Sequence, residues 1–329
     1  MSEKSFDLIG VGSPIIDYLA HVDDSFLESV NGEKGGMVLV EDEAISSMLA
    51  RIPSEVKQAA GGSAGNTTFS AARLGLRSAF VGKVGPDRAG DYYRQRFEQF
   101  GGDTSRFLVG DRPSGRCLSL ITPDSKRTMR THLGAAMTLS PGEIKSSLFS
   151  GARHVHIEGY LLFNYDLMMA VLKAARAAGC TISLDLASFE VVDAAKRYLP
   201  EILQEYVHVV FGNEEECIHL LGEGIDFPTM ARTLAGWCDI AAVKLGAEGS
   251  LVASGEQLET VAPVRVAHPL DTTGAGDVWA AGFLYGWLCG RDLATCGRYG
   301  SLMGAAIVQV DGAELPQDHW DRVATAIHG

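Results

Sequence analysis

The sequence predicts an α/β protein with a central, mostly parallel sheet and a small second β-sheet inserted into it. Two observations carry the first part. From residue 153 onward, strand patterns at His154–Ile157, Thr181–Leu186, His208–Phe211 and Ile240–Leu245 alternate with helix-period segments such as Leu167–Ala178 and Val191–Tyr206. That alternation is the signature of a parallel sheet with helical crossovers. Apolar runs at Phe6–Gly12 and Ala79–Val84 add two buried strands ahead of it. The third observation is a departure from this order. Strand-like pieces within 18–40 and 115–133 surround turn sequences without helix periodicity. They imply a small lid sheet built from insertions near 15–40 and 110–135, exposed on one face unless it covers something.

The 329 residues show no internal repeat, low-complexity segment or linker, so the chain reads as a single unit over 1–329. A net charge of −13 argues against a nucleic-acid partner, because phosphate backbones select basic faces. It is compatible with ATP, which needs only a local electropositive pocket. No apolar run reaches the roughly 20 residues of a membrane span, and the polar start Met1–Ser5 is unlike a signal peptide. The six cysteines (117, 180, 217, 238, 289, 296) have no close paired spacing and read as reduced, buried residues of a cytoplasmic protein.

In chain order, the first strand ends at Ser13-Pro14, and Asp17 follows beyond its carboxyl end, where open α/β sheets bind ligands. By position alone Asp17 reads more readily as a solvated loop carboxylate. Tyr18–Val22 and Met37–Val40 flank a turn at 32–36, and Glu41–Arg51 reads as an amphipathic helix. Gly61-Gly62-Ser63-Ala64-Gly65-Asn66-Thr67 opens a helix of small residues reaching about Leu74. Asn66 there offers an amide that both donates and accepts. The same stretch matches the Gly-x-Ser-x-Gly elbow of serine hydrolases, centred on Ser63. That elbow needs a hydrophobic strand directly before it, and Ser54-Glu55-Val56-Lys57-Gln58 does not read as one.

A helix over Ala89–Phe100 precedes the second insertion, whose strands Gly115–Ile121 and Thr128–Leu133 meet at a Pro123–Lys126 turn. Arg127 and Arg130 on this element either neutralise a transferring phosphate from a lid or are ordinary surface arginines. His154 and His156 share one strand face but lack a third metal ligand, so they read as structural. Asn213-Glu214-Glu215-Glu216 follows a strand and suits a helix cap with an acidic first turn; alternatively Asn213 and Glu216 organise hydrated Mg²⁺. Gly246 and Gly249, between Val243–Leu245 and a strand at Ser250–Ala253, suit a nucleotide-contacting loop or a plain β-turn. Helices at about Ala294–Val310 and Trp320–Ile327 close the chain.

The most informative stretch is Asp271-Thr272-Thr273-Gly274-Ala275-Gly276-Asp277, followed by the apolar run Val278–Cys289. Small residues at a helix entry let backbone N–H groups reach an anion, and the helix dipole favours it there. Asp277 falls in the first turn, so a base stands beside an anion cradle, which is the combination phosphoryl transfer to a hydroxyl requires. A plain helix entry with a charged first turn is the competing reading. The chain has no Gly-x-x-x-x-Gly-Lys-Ser/Thr loop, and Gly10-Val11-Gly12 lacks the third glycine of the dinucleotide fingerprint.

These motifs resemble those of the ribokinase-like (PfkB) carbohydrate and nucleoside kinases. The resemblance spans essentially the whole chain and rests on Asp271–Asp277 with Ala280-Ala281-Gly282-Phe283, and on Gly61–Asn66. It implies a three-layer α/β/α domain with a β-sheet lid, and an ATP- and Mg²⁺-dependent kinase. It makes Asp277 the catalytic base, Gly274, Ala275, Gly276 and the Asp277 amide the anion hole, and Arg127 the lid arginine that approaches the phosphoryl group. Asp17, Gly62 and Asn66 grip the substrate hydroxyls, with Ser13 in the place of the family's usual turn asparagine. Asn213 and Glu216 match the Mg²⁺-associated motif, Glu216 acting through water. Gly246 and Gly249 lie beside the nucleotide, and Asp271 and Thr273 hold a monovalent cation such as K⁺. The Gly35–Val40 segment, Arg127-Thr128-Met129 and Gly159-Tyr160 are most similar to adenosine kinases, with Tyr160 or Phe163 placed to stack on a purine. The implied reaction is phosphorylation of adenosine at its 5′-hydroxyl, in purine salvage. A sugar kinase acting on ribose, fructose or a sugar acid is the alternative, a serine hydrolase at Ser63 a remote one, and a monomer or a homodimer suits either kinase.

Overall fold

The computed structural model describes residues 5–30, 33–124 and 126–329. Met1–Lys4 of the polar start, Gly32 of the 32–36 turn and Ser125 of the Pro123–Lys126 turn lie outside the described residues. In chain order the strands are β1 (Phe6–Val11), β2 (Ile15–His21), β3 (Met37–Leu39), β4 (Val56–Gly61), β5 (Ser78–Val81), β6 (Lys83–Val84), β7 (Leu108–Val109) and β8 (Gly115–Ile121). They continue with β9 (Arg127–His132), β10 (Ala152–Glu158), β11 (Thr181–Asp185), β12 (Val209–Asn213), β13 (Ile240–Lys244), β14 (Ser250–Ser254) and β15 (Gln257–Val261).

The large sheet has eight strands in the order β15-β14-β13-β12-β11-β10-β1-β5. From β5 to β13 neighbouring strands run parallel, and β14 is antiparallel to both its neighbours. Side chains alternate between its two faces, as the pleat dictates. Ile9, Val11, Val155, Ile157, Ala241 and Val243 pack with helices Tyr165–Ala177, Phe189–Ala195, Leu199–Tyr206 and Phe227–Ala235. Leu8, Val209, Phe211, Ile240 and Ala242 pack on the other side, chiefly with helix Ala275–Leu288. Helices on both faces of the sheet complete a three-layer α/β/α body, as expected. Because helix Ala275–Leu288 is apolar nearly all round, it lies between the sheet and helices Leu293–Ile307 and Gln317–His328.

The small sheet runs β3-β9-β8-β2-β4. One face carries Ala20, Leu118 and Leu120 against helices Asp24–Glu28 and Asp42–Leu49. Arg130 lies on that face opposite Leu118, fully buried, so it is not the surface arginine expected. Asp17 is also corrected: it sits on β2, in register with Ala59 and Cys117, rather than in a solvated loop.

Several elements differ from expectation for local reasons. The single strand expected over Ala79–Val84 divides at Gly82, where a side chain would stand 2.7 Å from the Gly12 carbonyl. The helix expected over Val191–Tyr206 breaks after Ala195 and restarts with Pro200 in its first turn, where a missing N–H costs nothing. Strand β4 was hidden by its polar Lys57 and Gln58, and β15 by Gln257 and Glu259, because both are edge strands left part-exposed along much of their length. Of the six cysteines, Cys289 is exposed at the end of its helix, unlike the buried residue expected. No helix among the described residues is long and apolar enough to cross a membrane.

Gly62 joins β4 to helix Ser63–Arg73 with φ near 90°, and a β-carbon there would meet the Ser13 carbonyl at 2.2 Å. Gly62→Ala is therefore expected to lower stability by about 1–3 kcal/mol, read as a fall in melting temperature.

Candidate active site

Gly274 caps helix Ala275–Leu288 in the left-handed conformation, with φ 70°. A β-carbon at this position would lie 2.5 Å from Ala313 Cβ, so both the turn and its close packing require glycine. Ala275 N–H donates to Thr272 O at 3.2 Å, while the Gly276 and Asp277 amides find no acceptor among the described residues. Two amides at a helix entry with no side-chain cap are open to an acceptor from outside the helix.

Asp277 is held from across the site by helix Ser63–Arg73. Ser63 Oγ donates to Oδ1 at 2.8 Å, Asn66 Nδ2 donates to Oδ2 at 2.9 Å, and Thr67 Oγ1 donates to the Asp277 carbonyl at 3.0 Å. Asp277 keeps some exposure to the cleft, but protein atoms crowd its carboxyl. Burial, reinforced by the Asp185 charge, raises its pKa to about 6, against the opposing pull of Asn66, Ser63 and Lys244. Asn66 is 8 % exposed, and its Oδ1 is left without a partner, an acceptor available to a ligand hydroxyl.

Four consecutive strands deliver a polar residue at their carboxyl ends: Glu158, Asp185, Asn213 and Lys244 close β10, β11, β12 and β13. Register places Glu158 beside Asp185 and Asn213 beside Lys244. Lys244 Nζ donates to Asp185 Oδ2 at 2.9 Å. Asn213 caps the helix as expected, and with Glu216 it forms a reciprocal capping box: Glu216 N–H donates to Asn213 Oδ1 at 2.9 Å, and Asn213 N–H and Nδ2 donate to the Glu216 carboxylate, each at 2.8 Å. Glu216 is buried, which together with the Asp185 charge raises its pKa to about 7. In the turn after β13, Gly246 faces open space, whereas a β-carbon on Gly249 would strike the Val261 carbonyl at 2.1 Å. Gly249 is thus needed by the hairpin itself, and Gly246 is free to border a ligand.

The lid closes over the same cleft. Asp17 lines it from β2; burial raises its pKa to about 7, Arg127 opposes that rise, and Asp277 and Asp271 add to it. Arg127, on β9, donates to Thr273 Oγ1 at 2.6 Å and forms an ion pair with Asp271. Asp271 also accepts from Thr273 N–H at 3.0 Å and Gly312 N–H at 2.8 Å. The carboxylate expected to hold a monovalent cation therefore holds a guanidinium in this conformation. Ser13 is present through its backbone: its N–H donates to Glu158 Oε1 at 2.9 Å, and Ala64 N–H donates to Oε2 at 3.2 Å. Burial raises the Glu158 pKa to about 7. Tyr160 and Phe163 are exposed near this strand end, whereas Leu161 is buried in the core.

The structure therefore brings together Asp277, Gly274, Ala275, Gly276, Asn66, Gly62 and Asp17, with Arg127 one contact away. Sequence reasoning missed Ser63 as a donor to Asp277, and missed Glu158, Asp185 and Lys244. The last three were signalled by their place at strand carboxyl ends, where this architecture binds ligands. The serine-hydrolase elbow takes a different form from the one expected. A strand, β4, does precede Ser63, but it belongs to the lid sheet, and Ser63 donates to a carboxylate instead of to a histidine.

The pfkB family carbohydrate kinase model matches residues 36–320. The structure is similar to the adenosine kinase of Sinorhizobium meliloti, with 32 % identity, a TM-score of 0.84 and coverage of 98 % of this chain and 99 % of that one. It is equally similar to a probable sugar kinase of Rhizobium etli, with 29 % identity, a TM-score of 0.85 and the same coverage of 98 % and 99 %. A nucleoside kinase of Methanothermobacter thermautotrophicus is 29 % identical over 95 % of this chain and 93 % of its own. The chain belongs to the pfkB family of carbohydrate kinases. It is a phosphotransferase with an alcohol group as acceptor, acting on a nucleoside or a sugar.

Membership implies ATP and, usually, Mg²⁺. The residues fit both: two unpaired amides and a lysine suit phosphate, and Glu216, with Asn213 beside it, is a hard oxygen donor of the kind that the waters of a hydrated Mg²⁺ prefer.

Asp277→Asn is expected to lower kcat by about 10²–10⁴-fold with ADP affinity unchanged, measured by steady-state kinetics and calorimetry. With Asp277 acting as the base, which must be ionised, kcat would fall as pH drops through about 6. Stability should move the opposite way. Asp17, Glu158 and Asp277 bind their protons more tightly folded than unfolded, so the stability they contribute is present below the ordinary carboxylate range and lost as pH rises through 6–7. Melting temperatures measured from about pH 5 to about pH 8 should decline.

Proposed function

We propose that the protein phosphorylates the 5′-hydroxyl of a nucleoside, adenosine first among them, with ATP and Mg²⁺, in the cytoplasm and in purine salvage. The supporting observation is the inner face of the lid. Asp17 is in register with Cys117, Cys117 with Thr131, and Thr131 with Leu39, so all four share the face that Asp17 turns to the cleft. The adjacent row on that face runs Leu19, Ser119, Met129, Met37. Met37 and Leu39 are 55 % and 58 % exposed. One end of this surface offers a carboxylate for hydroxyls and the other a bare apolar platform. A nucleoside matches both ends, ribose to Asp17 and Asn66, base to the platform with Tyr160 or Phe163 as a stacking partner. A sugar alone leaves the platform unused.

In this reading Asp277 accepts the proton of the attacking hydroxyl, and the Gly274–Asp277 turn receives the charge on the phosphoryl oxygens. Gly62 and Ser13 shape the wall against which the ribose lies. Gly246 and Gly249 border the nucleotide. Bound Mg²⁺, held through water by Glu216 and Asn213, would neutralise phosphate charge. Arg127 moves from Asp271 to the phosphoryl group, leaving Asp271 and Thr273 to a monovalent cation such as K⁺.

A sugar acceptor is the second reading, favoured by the likeness to the Rhizobium etli protein and by Asp17 and Asn66, which serve hydroxyls of either substrate. A panel of nucleosides and sugars incubated with Mg-ATP and scored for ADP formation separates them. Adenosine is expected to give the highest kcat/KM; a sugar exceeding every nucleoside would overturn the proposal. Leu39→Ser should raise KM for adenosine by about tenfold, as loss of one buried apolar contact implies, with kcat little changed.

A further inference from the structure

Lys244 stands out among the groups around the cleft because nothing in the motif assigns it. Its Nζ is so close to the anion-hole turn that a β-carbon on Gly276 would lie 2.9 Å from it. An ammonium carries three N–H donors; the one side-chain bond Lys244 makes among the described residues is to Asp185. Asp185 is itself tightly held. Its Oδ1 accepts from Ala187 N–H at 2.9 Å, and Ala187 has φ 67°, the sole non-glycine in the left-handed region among the described residues. Such a conformation costs energy, and here it orients the carboxylate that orients the lysine. Burial opposes the lysine's charge, but the Asp185 and Glu216 carboxylates outweigh it, so the pKa is raised and the ammonium persists.

We propose that Lys244 is a further catalytic residue, whose ammonium contacts the transferring phosphoryl group beside the Gly274–Asp277 turn. The inference rests on the phosphotransferase reading of the Asp277 site. The acceptor oxygen bonds to the γ-phosphorus as its proton passes to Asp277. The bond from that phosphorus to the bridging oxygen breaks, and its electron pair leaves with ADP. Lys244 neither gains nor loses a proton; it adds a fixed positive charge where negative charge accumulates, alongside the two free amides. Asp185 is the positioning residue that holds it there.

The test compares Lys244→Met and Lys244→Ala with wild type, using ATP and whichever acceptor wild type phosphorylates fastest. Expected are a fall in kcat of about 10²–10³-fold, ADP affinity within about threefold of wild type, and partial recovery of Lys244→Ala by added ethylammonium. A kcat within about threefold of wild type would overturn the inference. So would a loss that ethylammonium leaves unchanged and that follows loss of ADP binding, because Lys244 would then serve only to neutralise Asp185. If neither variant folds, Asp185→Asn supplies the readout: at least a tenfold drop in kcat at unchanged ADP affinity is expected, and an unchanged kcat overturns the inference. Wild type that phosphorylates only sugars would sink the nucleoside reading and leave this one standing.

Discussion

The first turns of two helices meet at the Asp277 carboxylate, and the other parts of the site are arranged around that contact. Ser63 and Asn66 each give it one neutral hydrogen bond from the first turns of their helix, and Thr67 secures its backbone. Neutral donors are what a base needs. A cationic partner would hold the carboxylate far down the pH scale, whereas desolvation with neutral donors leaves it near 6, able to take up a proton and release it. The same contact fixes the Gly274 turn against helix Ser63–Arg73, since Gly274 packs within 3.3 Å of Asn66 Nδ2 when a β-carbon is added.

Around this point the chain accumulates carboxylates that burial disfavours. Glu158, Asp185 and Glu216 are nearly inaccessible, and Asp17 faces them across the cleft. Each is compensated locally: Glu158 by two backbone amides, Glu216 by the Asn213 box, Asp185 by Lys244. For Asp185 the compensation is more than complete and its pKa is lowered, whereas Asp17, Glu158 and Glu216 stay raised to about 7, so these three weaken the fold at neutral pH.

The lid resolves the question of what a one-sided sheet covers. Two helices bury its outer face, and its inner face becomes the roof of the cleft. Arg127 reaching Asp271, and Lys57 reaching the Asp311 carbonyl at 3.1 Å, tie the roof to the Asp271–Asp277 turn and to the loop that follows helix Leu293–Ile307.

Local physics made much of this legible from sequence. Apolar runs with intervening helix periods announced the parallel sheet, because strands buried on both faces are continuously apolar. The Asp271–Asp277 and Gly61–Asn66 motifs announced the Gly274 turn and the helix entry at Gly62, because left-handed and close-packed backbone positions admit little but glycine. Half-exposed β4 and β15, with lysine, glutamine and glutamate among their residues, carry no such pattern and were not legible. Nor was the pairing of Arg127 with Asp271, of Ser63 with Asp277, or of Lys244 with Asp185, residues separated by 144, 214 and 59 positions. Charge and hydrogen-bond chemistry are printed in the residue, but the partner is chosen by distance, and only the folded sheet order sets the distances.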